Sequence, residues 1–267
     1  MVLVVAGIVA TAVAEGFGQQ GFGGFGRSGP QVQVNPPYDG AFMFCRIMFR
    51  QNPYGDGDGW WVDYPRADIN LSYRLSELTA TRVSKDSRGD FNHVLLRLTD
   101  DELYKCPFIM MTEPGGSYFD EAEAAQLRDY LLKGGFMWAD DFWGERAWEN
   151  WAEQIGKALP SAEYPIVDIP LGHEIFHMLY QVDSVPQIPS VGVWLQRGTT
   201  SERDARSAVP HARAIFDDRG RLMVLSTHNT DFGDAFEPES DSRAYFDRFA
   251  GVGYAFGINT LLYAMSH

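Results

Sequence analysis

Basic side chains are scarce in this sequence. It has 22 Lys and Arg against 36 Asp and Glu, so its formal net charge is −14. Contacts with nucleic-acid phosphates need a basic surface, and so does electrostatic docking on an anionic membrane. The composition therefore argues against both kinds of partner. The acidic residues are scattered in short clusters, which is typical of a solvated acidic surface.

Cysteine is almost absent as well. Cys45 and Cys106 are the two that occur, and each lies in or just before a predicted core strand. Their separation in sequence fixes no geometry. A disulfide in an exported chain and two buried free thiols therefore both remain open.

The apolar stretch at residues 1–14, MVLVVAGIVATAVA, is too short to span a bilayer comfortably, so we predict no stable membrane span. It ends in Ala-Val-Ala, a small-residue pattern typical of signal-peptidase sites, although it lacks a basic region before the apolar residues. We expect export to the periplasm or the extracellular space. The alternative is an apolar N-terminus on a cytoplasmic protein.

The rest of the chain divides into two parts. Residues 15–40 begin with a glycine-rich stretch and continue as an extended lead-in with two consecutive prolines, which predicts a linker. Residues 41–267 have the length and apolar content of one globular domain. We find no internal repeat.

Strands and helices alternate along this domain. Apolar runs predict strands at 41–49, 91–98, 107–111, 136–139 and 192–196, and a hairpin at 213–216 and 222–226. Helical spacing and end signals predict helices at 68–79, 120–133, 145–159 and 243–265. The alternation indicates an α/β fold with a mainly parallel sheet, covered by helices on both faces, and an antiparallel hairpin at one edge.

Several blocks carry a resemblance when taken in order: DYPRADINLSYRLSELT, LTDDELYKCPFIMMTEPGG, LRDYLLKGGFMWADD, HEIFH and GRLMVLSTHNTD. Over residues 42–265 they resemble the domain of unknown function 4159 family. The resemblance implies membership of the class I glutamine amidotransferase-like superfamily, with its flavodoxin-like three-layer sandwich. It brings no catalytic residue to this chain.

Working amidotransferases carry a nucleophilic cysteine on a tight turn between a strand and a helix. The corresponding turn here is Trp138-Ala139-Asp140-Asp141, which has no cysteine. Without a thiolate, glutamine hydrolysis has no nucleophile. We therefore expect no amidotransferase activity.

Asp140 and Asp141 are nevertheless candidate ligand-binding residues, because open α/β sheets bind ligands beyond the carboxyl ends of their strands. We expect one of them to face a crevice and the other to cap the next helix. Glu113 is a further candidate, since the following Pro-Gly-Gly lets the backbone approach a ligand. The alternative there is a plain turn, and the absence of a lysine at phosphate-loop spacing disfavours a nucleotide.

The segment His173-Glu174-Ile175-Phe176-His177 matches the HExxH pattern of zinc peptidases. On a helix, His173 and His177 would share a face and bind zinc, with Glu174 as general base. Pro170 and Gly172 directly before the segment weigh against a helix there. No clear third ligand follows, although the sequence leaves four residues open for that role: His211, His228, Glu237 and Glu239. A milder hypothesis places His173 beside Asp140 or Asp141 as a proton-transferring residue.

Two weaker candidates complete the set. Trp60, Trp61, Asp63 and Tyr64 suit a sugar ring or, alternatively, fasten their loop to the core. The run 228–231, His-Asn-Thr-Asp, follows a strand and is either a polar rim or an Asx-turn.

Together these features predict an exported amidotransferase-like domain that lacks the nucleophile. We expect it to be a ligand-binding or assembly module of the cell envelope, with a small molecule or an envelope protein as partner and no cofactor. The ligand-binding candidates are Glu113, Asp140, Asp141 and His173. The alternatives are a zinc hydrolase through His173 and His177, and a metal-independent hydrolase that uses Asp140 or Asp141 with His173.

Overall fold

The computed structural model describes residues 32, 34–239 and 242–267. The predicted signal segment at 1–14 lies outside the described residues, as does the glycine-rich part of the predicted linker. The expectations for those two segments therefore stay predictions.

The strands of the central sheet run in the order β3-β1-β4-β6-β9-β8-β7. The five strands from β3 to β9 pair in parallel, whereas β8 and β7 add antiparallel at the β9 edge. A separate pair, β2 and β5, is antiparallel. The strands are β1 (Phe44–Ile47), β2 (Arg50–Gln51), β3 (His93–Leu96), β4 (Phe108–Thr112), β5 (Ser117–Tyr118), β6 (Phe136–Phe142), β7 (Val167–Asp168), β8 (His211–Phe216) and β9 (Leu222–His228).

Helices lie against both faces of this sheet. One apolar cluster joins the sheet to α1, α5 and α7, and a second joins it to α2 and α3. Among the described residues, no helix combines the length and apolar character that a membrane crossing needs. The helices are α1 (Arg66–Leu78), α2 (Glu121–Leu132), α3 (Gly144–Ala158), α4 (Val191–Arg197), α5 (Phe232–Phe236), α6 (Arg243–Tyr245) and α7 (Gly251–Ser266), with a π-helical turn at Phe246–Ala250 between the last two.

The mainly parallel sheet and the antiparallel edge confirm the predicted α/β architecture. Strands β4 and β6 are buried at every position, as expected of continuous apolar runs that helices cover on both faces. The start of α2 follows its predicted capping box: the Asp120 carboxylate accepts from the Glu123 N–H, and the Glu123 carboxylate accepts from the Asp120 N–H.

One predicted strand was wrong. Residues 192–196 lie in α4, which begins after Ser190, whose hydroxyl accepts a hydrogen bond from the Val193 N–H. The helix ends at Gly198, a residue in the left-handed conformation. A short apolar run does not distinguish a strand from a helix, and here the two end signals decide for the helix.

Cys45 and Cys106 form a disulfide and are not free thiols. Cys45 in β1 is joined to Cys106, which directly precedes Pro107 and β4, and their Cα atoms are 6.3 Å apart. The disulfide therefore ties two neighbouring parallel strands together near their amino ends.

A buried arginine joins four parts of the fold. Arg46 in β1 is fully buried, and its guanidinium pairs with the equally buried Asp68 in the first turn of α1. It also donates to Thr112 Oγ1 at the end of β4, at 2.6 Å, and to the carbonyl oxygens of Trp60 and Val62. The turn before α1 is thus fixed to the sheet through one side chain.

We predict that Arg46→Ala destabilises the protein by about 3–5 kcal/mol, because it leaves the Asp68 carboxylate buried without its partner. The measurement is urea unfolding followed by tryptophan fluorescence. The matched control is Arg50→Ala, since Arg50 pairs with Asp120 and Glu123 on the exposed surface, where an ion pair contributes only about 0–1 kcal/mol. Equal losses in the two variants would contradict the role assigned to Arg46.

Candidate functional site

Acidic side chains gather at the carboxyl edge of the parallel strands. Asp63 lies in the connection after β1, Glu113 follows β4, Asp141 lies at the end of β6, and Asp231 follows β9. Because carboxyl ends of parallel strands meet at one edge, β6 and the connections after β1, β4 and β9 each deliver a carboxyl group to the same place. In the sheet, β3 lies on one side of β1, whereas β4 and the later strands lie on the other side. The topological switch point is therefore between β1 and β4, and open α/β sheets bind ligands at such a point.

Asp63 is positioned by the turn that Arg46 holds. The guanidinium of Arg46 donates to Trp60 O at 3.1 Å and to Val62 O at 3.0 Å, directly before Asp63. Asp63 itself adopts a left-handed backbone conformation with φ of 61°. Burial raises the pKa of its carboxyl well above the usual value, and the charge of Asp234 raises it further.

Glu113 is also in the left-handed region, with φ of 56°. Its backbone N–H donates to Asp140 O at 3.0 Å, which ties the end of β4 to the end of β6. A Cβ on Gly57 would lie 2.7 Å from Glu113 Oε2, so the loop after β2 can cover this carboxyl only with a glycine there. Burial, and then the charge of Asp58, raise the pKa of Glu113 to about 8.

Asp140 is an anchor within the fold. It is fully buried, and its carboxylate accepts from the N–H groups of Phe232, at 2.8 Å, and Gly233, at 3.2 Å. The hydroxyl of Thr227 donates to it as well. Burial raises the pKa of Asp140 to about 7, against the opposing effect of these donors. This side chain therefore caps α5, which is remote in sequence.

Asp141 faces the other acidic groups. It adopts φ of 58°, and its Oδ1 accepts from Trp143 Nε1 at 3.0 Å. Burial raises its pKa well above the usual value, and the charges of Glu113 and Asp63 add to the shift. The expected helix cap is wrong: neither aspartate caps α3, whose first N–H, on Gly144, donates to Asn229 Oδ1.

Asp231 and Asp234 come from the start of α5. Asp231 caps the helix, because its Oδ1 accepts from the Asp234 N–H at 2.8 Å. One carboxylate oxygen from each of Asp63, Asp231 and Asp234 lies within 4.8 Å of the other two. Burial is the main cause that raises the pKa of both aspartates. The pKa of Asp231 lies well above its usual value, and that of Asp234 is raised to about 6.

Unfavourable backbone conformations coincide with this edge. Asp63, Glu113, Asp141 and Asn229 all have φ near 60°, and each lies at or after the end of a parallel strand. Non-glycine residues in this region are uncommon, and such conformations concentrate at functional sites.

His173 lies at the opposite edge of the sheet. Its ring packs on Phe216 and on Tyr263, whose hydroxyl accepts from the N–H of Leu222, the first residue of β9. The acidic groups lie beyond His228, at the other end of β9, about 20 Å away at the usual rise per residue. The expected pairing of His173 with Asp140 or Asp141 is therefore wrong.

The HExxH segment is not an α-helix. A short 3-10 turn spans Glu174–Phe176, and His173 caps it by accepting from the Ile175 N–H. Both ring nitrogens of His177 are engaged, with Gln181 Oε1 and with Leu171 O. In the part of the chain that the structure describes, His173, Glu174 and His177 belong to no cluster of three potential metal ligands. The helical spacing behind the zinc interpretation is thus absent.

The aromatic side chains in the loop before α1 mainly fasten that loop to the rest of the fold. Trp60 is buried, packs edge-on against Trp61 and Tyr64, and the Tyr64 hydroxyl lies 2.9 Å from His93 Nε2. The sequence pattern indicates Asp63 only as a member of this loop, and it does not indicate Asp234 as a site residue. For Asp234, the signal in the sequence is the polar run THNTDFGD, which begins with the last two residues of the buried strand β9 and continues beyond it.

The chain belongs to the family described as Domain of unknown function (DUF4159), whose profile matches residues 49–265. This confirms the family that the sequence blocks suggested. A search of the curated proteins gave no match.

We predict that the protein, measured in EDTA, loses stability between pH 7 and 9. A carboxyl with a raised pKa holds in the folded state a proton that the unfolded chain releases near pH 4, so the free energy of unfolding falls as pH rises through the folded-state pKa. For Glu113, with a pKa of about 8, the loss is about 1 kcal/mol, or roughly 2–4 °C in Tm.

Histidines do not obscure this window. Burial lowers the pKa of His93, His173, His211 and His228, so in the folded state they are neutral here. The unfolded chain loses its last histidine protons just above pH 7, which opposes the decline weakly and equally in the parent protein and the variants. Melting curves in EDTA should show a smaller decline for Glu113→Gln than for the parent protein. Glu121→Gln, an exposed residue on α2, should retain the full decline, and an unchanged decline in Glu113→Gln would contradict the prediction.

Proposed function

We propose that this protein is a binding module for a positively charged ligand, held in the acidic crevice at the carboxyl edge of its sheet. The observation that carries the proposal is the convergence of six carboxyl groups, from the end of β6 and from three connections, onto one edge: Asp63, Glu113, Asp140, Asp141, Asp231 and Asp234. Burial raises the pKa of all six groups, and the charges of neighbouring acidic groups add to the shift in all of them except Asp140. A bound cation favours their charged forms and offsets both costs.

The protein's own cations do little to offset this charge. Arg46 lowers the pKa of Asp63 through its charge, yet its hydrogen bonds go to Asp68, Thr112 and main-chain carbonyls. Arg203 acts on Glu113 in the same way, but it is paired with Asp56 at 3.0 Å. An external cation therefore fits the site by charge complementarity.

The amidotransferase-like, flavodoxin-like assignment supports a crevice at this place. Counted among themselves, the five parallel strands follow the order 2-1-3-4-5, which is the flavodoxin order, with ligands at the switch point. Both cysteines are in the disulfide at the other end of β1 and β4, so the proposal includes no thiol nucleophile.

We further propose that the module works in the cell envelope after export. The disulfide supports this, because such bridges persist in oxidising compartments and are rare in reducing ones. The hydrolase alternatives gain no comparable support, since His173 lies at the opposite edge and the HExxH segment lacks its helix.

We predict that cations raise the Tm of the full chain and that the effect depends on Asp141. Thermal shift with spermidine, arginine amide and divalent metal chlorides is the measurement, with neutral sugars alongside. Asp141→Asn keeps the shape of the side chain and removes its charge, so it should abolish most of the shift. Asp129→Asn, on the exposed face of α2, should leave the shift intact.

A protein that responds to no cation would contradict the proposal. A response to neutral sugars alone would contradict it as well, because the protonated carboxyls would then act as hydrogen-bond donors rather than as a counter-charge.

We predict that the natively expressed protein has no free thiol. Denaturation in a thiol-reactive mass label should leave Cys45 and Cys106 unmodified, and prior reduction should make both reactive. Labelling of both residues without reduction, in protein taken directly from its own cells, would contradict export to an oxidising compartment.

A further inference from the structure

The geometry points to a hard divalent cation, Ca²⁺, Mg²⁺ or Mn²⁺, bound by the carboxylates of Asp63, Asp231 and Asp234. This inference rests on the proposed function and deepens it by naming the class of cation. One oxygen from each carboxylate lies within 4.8 Å of the other two, a spacing that one ion at about 2.1–2.5 Å from each oxygen can satisfy.

A second, independent feature points to a ligand in the same place. Oδ2 of Asp63 is shielded from solvent and has no hydrogen-bond partner among the described residues. Buried polar atoms in native proteins are nearly always paired, and an unpaired carboxylate oxygen carries a large desolvation cost. A cation coordinated by Oδ2 removes that cost.

The surroundings of Oδ2 aim it into the cluster. A Cβ built on Gly233 would lie 2.1 Å from Asp63 Oδ2, so this oxygen sits directly on the backbone of α5. Gly233 lies between Asp231 and Asp234, which are 3% and 8% exposed. The absence of a side chain at residue 233 therefore makes room for the carboxylate of Asp63 between the two other acids.

Arg46 does not supply the missing partner. Its Nε donates to both oxygens of Asp68, its NH1 group donates to Thr112 Oγ1 and to main-chain carbonyls, and its NH2 group donates to Asp68. All three nitrogens are engaged away from Asp63. Arg46 thus acts on Asp63 through its positive charge and donates no hydrogen bond to it.

The donor set selects the class of ion. All three side chains offer carboxylate oxygens, which suit Ca²⁺, Mg²⁺ and Mn²⁺, whereas zinc prefers sites with nitrogen and sulfur ligands. Three protein oxygens leave coordination positions for water or for an oxygen-bearing molecule.

The test is isothermal titration of the full-length protein, stripped with EDTA, against CaCl2, MgCl2 and MnCl2 in turn. We expect saturable binding of about one ion per chain for at least one of them, with Kd at or below the millimolar range seen for extracellular calcium modules. No binding of any of the three up to about 10 mM would overturn the inference.

Two variants locate the ion. Asp231→Asn keeps an oxygen that can accept from the Asp234 N–H but removes the charge, and it should weaken binding by about tenfold or more. Gly233→Ala keeps every carboxylate and suits a helix, yet its Cβ displaces Asp63 Oδ2, so it should weaken binding to a similar degree. Asp129→Asn is the matched control and should bind as the parent protein does.

Affinities that are unchanged in both variants would overturn the assignment even if an ion binds elsewhere. If Asp231→Asn fails to fold, Gly233→Ala alone decides the question. Binding of spermidine or arginine amide without any metal binding would refute the metal site and leave the proposed function standing. Failure of every cation would refute both.

Discussion

The buried pair of Arg46 and Asp68 is the constraint on which the position of Asp63 at the acidic edge depends. A guanidinium without solvent must have its donors satisfied inside the protein, and Arg46 finds partners in α1, in β4 and in the turn at 60–62. The sheet, the first helix and the turn are consequently held in one arrangement. Asp63, with its left-handed backbone conformation, directly follows this turn, so its position depends on a contact in the core.

The acidic edge is held together mainly by backbone contacts rather than by opposite charges. Asp140 accepts from two N–H groups of α5, Glu113 donates its own N–H to the end of β6, and Asn229 caps α3. Each of these bonds joins the end of one strand to the connection after another. The carboxyl groups therefore stay close despite their repulsion, which is the arrangement that a binding site for a cation requires.

The sequence predicted the sheet well because its strands are buried on both faces and hence read as continuous apolar runs, as in β4 and β6. The strand-end rule also placed Glu113, Asp140 and Asp141 at the right edge. Asp63 and Asp234 were harder to predict, since they meet through irregular connections and a five-residue helix. His173 was misplaced because a short segment between prolines and loops has no periodicity that assigns it to either edge.

The disulfide and the acidic edge lie at opposite ends of the same two strands. Cys45 and Cys106 clamp β1 and β4 near their amino ends, whereas Asp63 and Glu113 follow their carboxyl ends. The disulfide thus holds β1 and β4 together at their amino ends and leaves the loops at their carboxyl ends unobstructed. The loops beyond the carboxyl ends can therefore change in sequence or length without loosening the pair of strands from which they emerge.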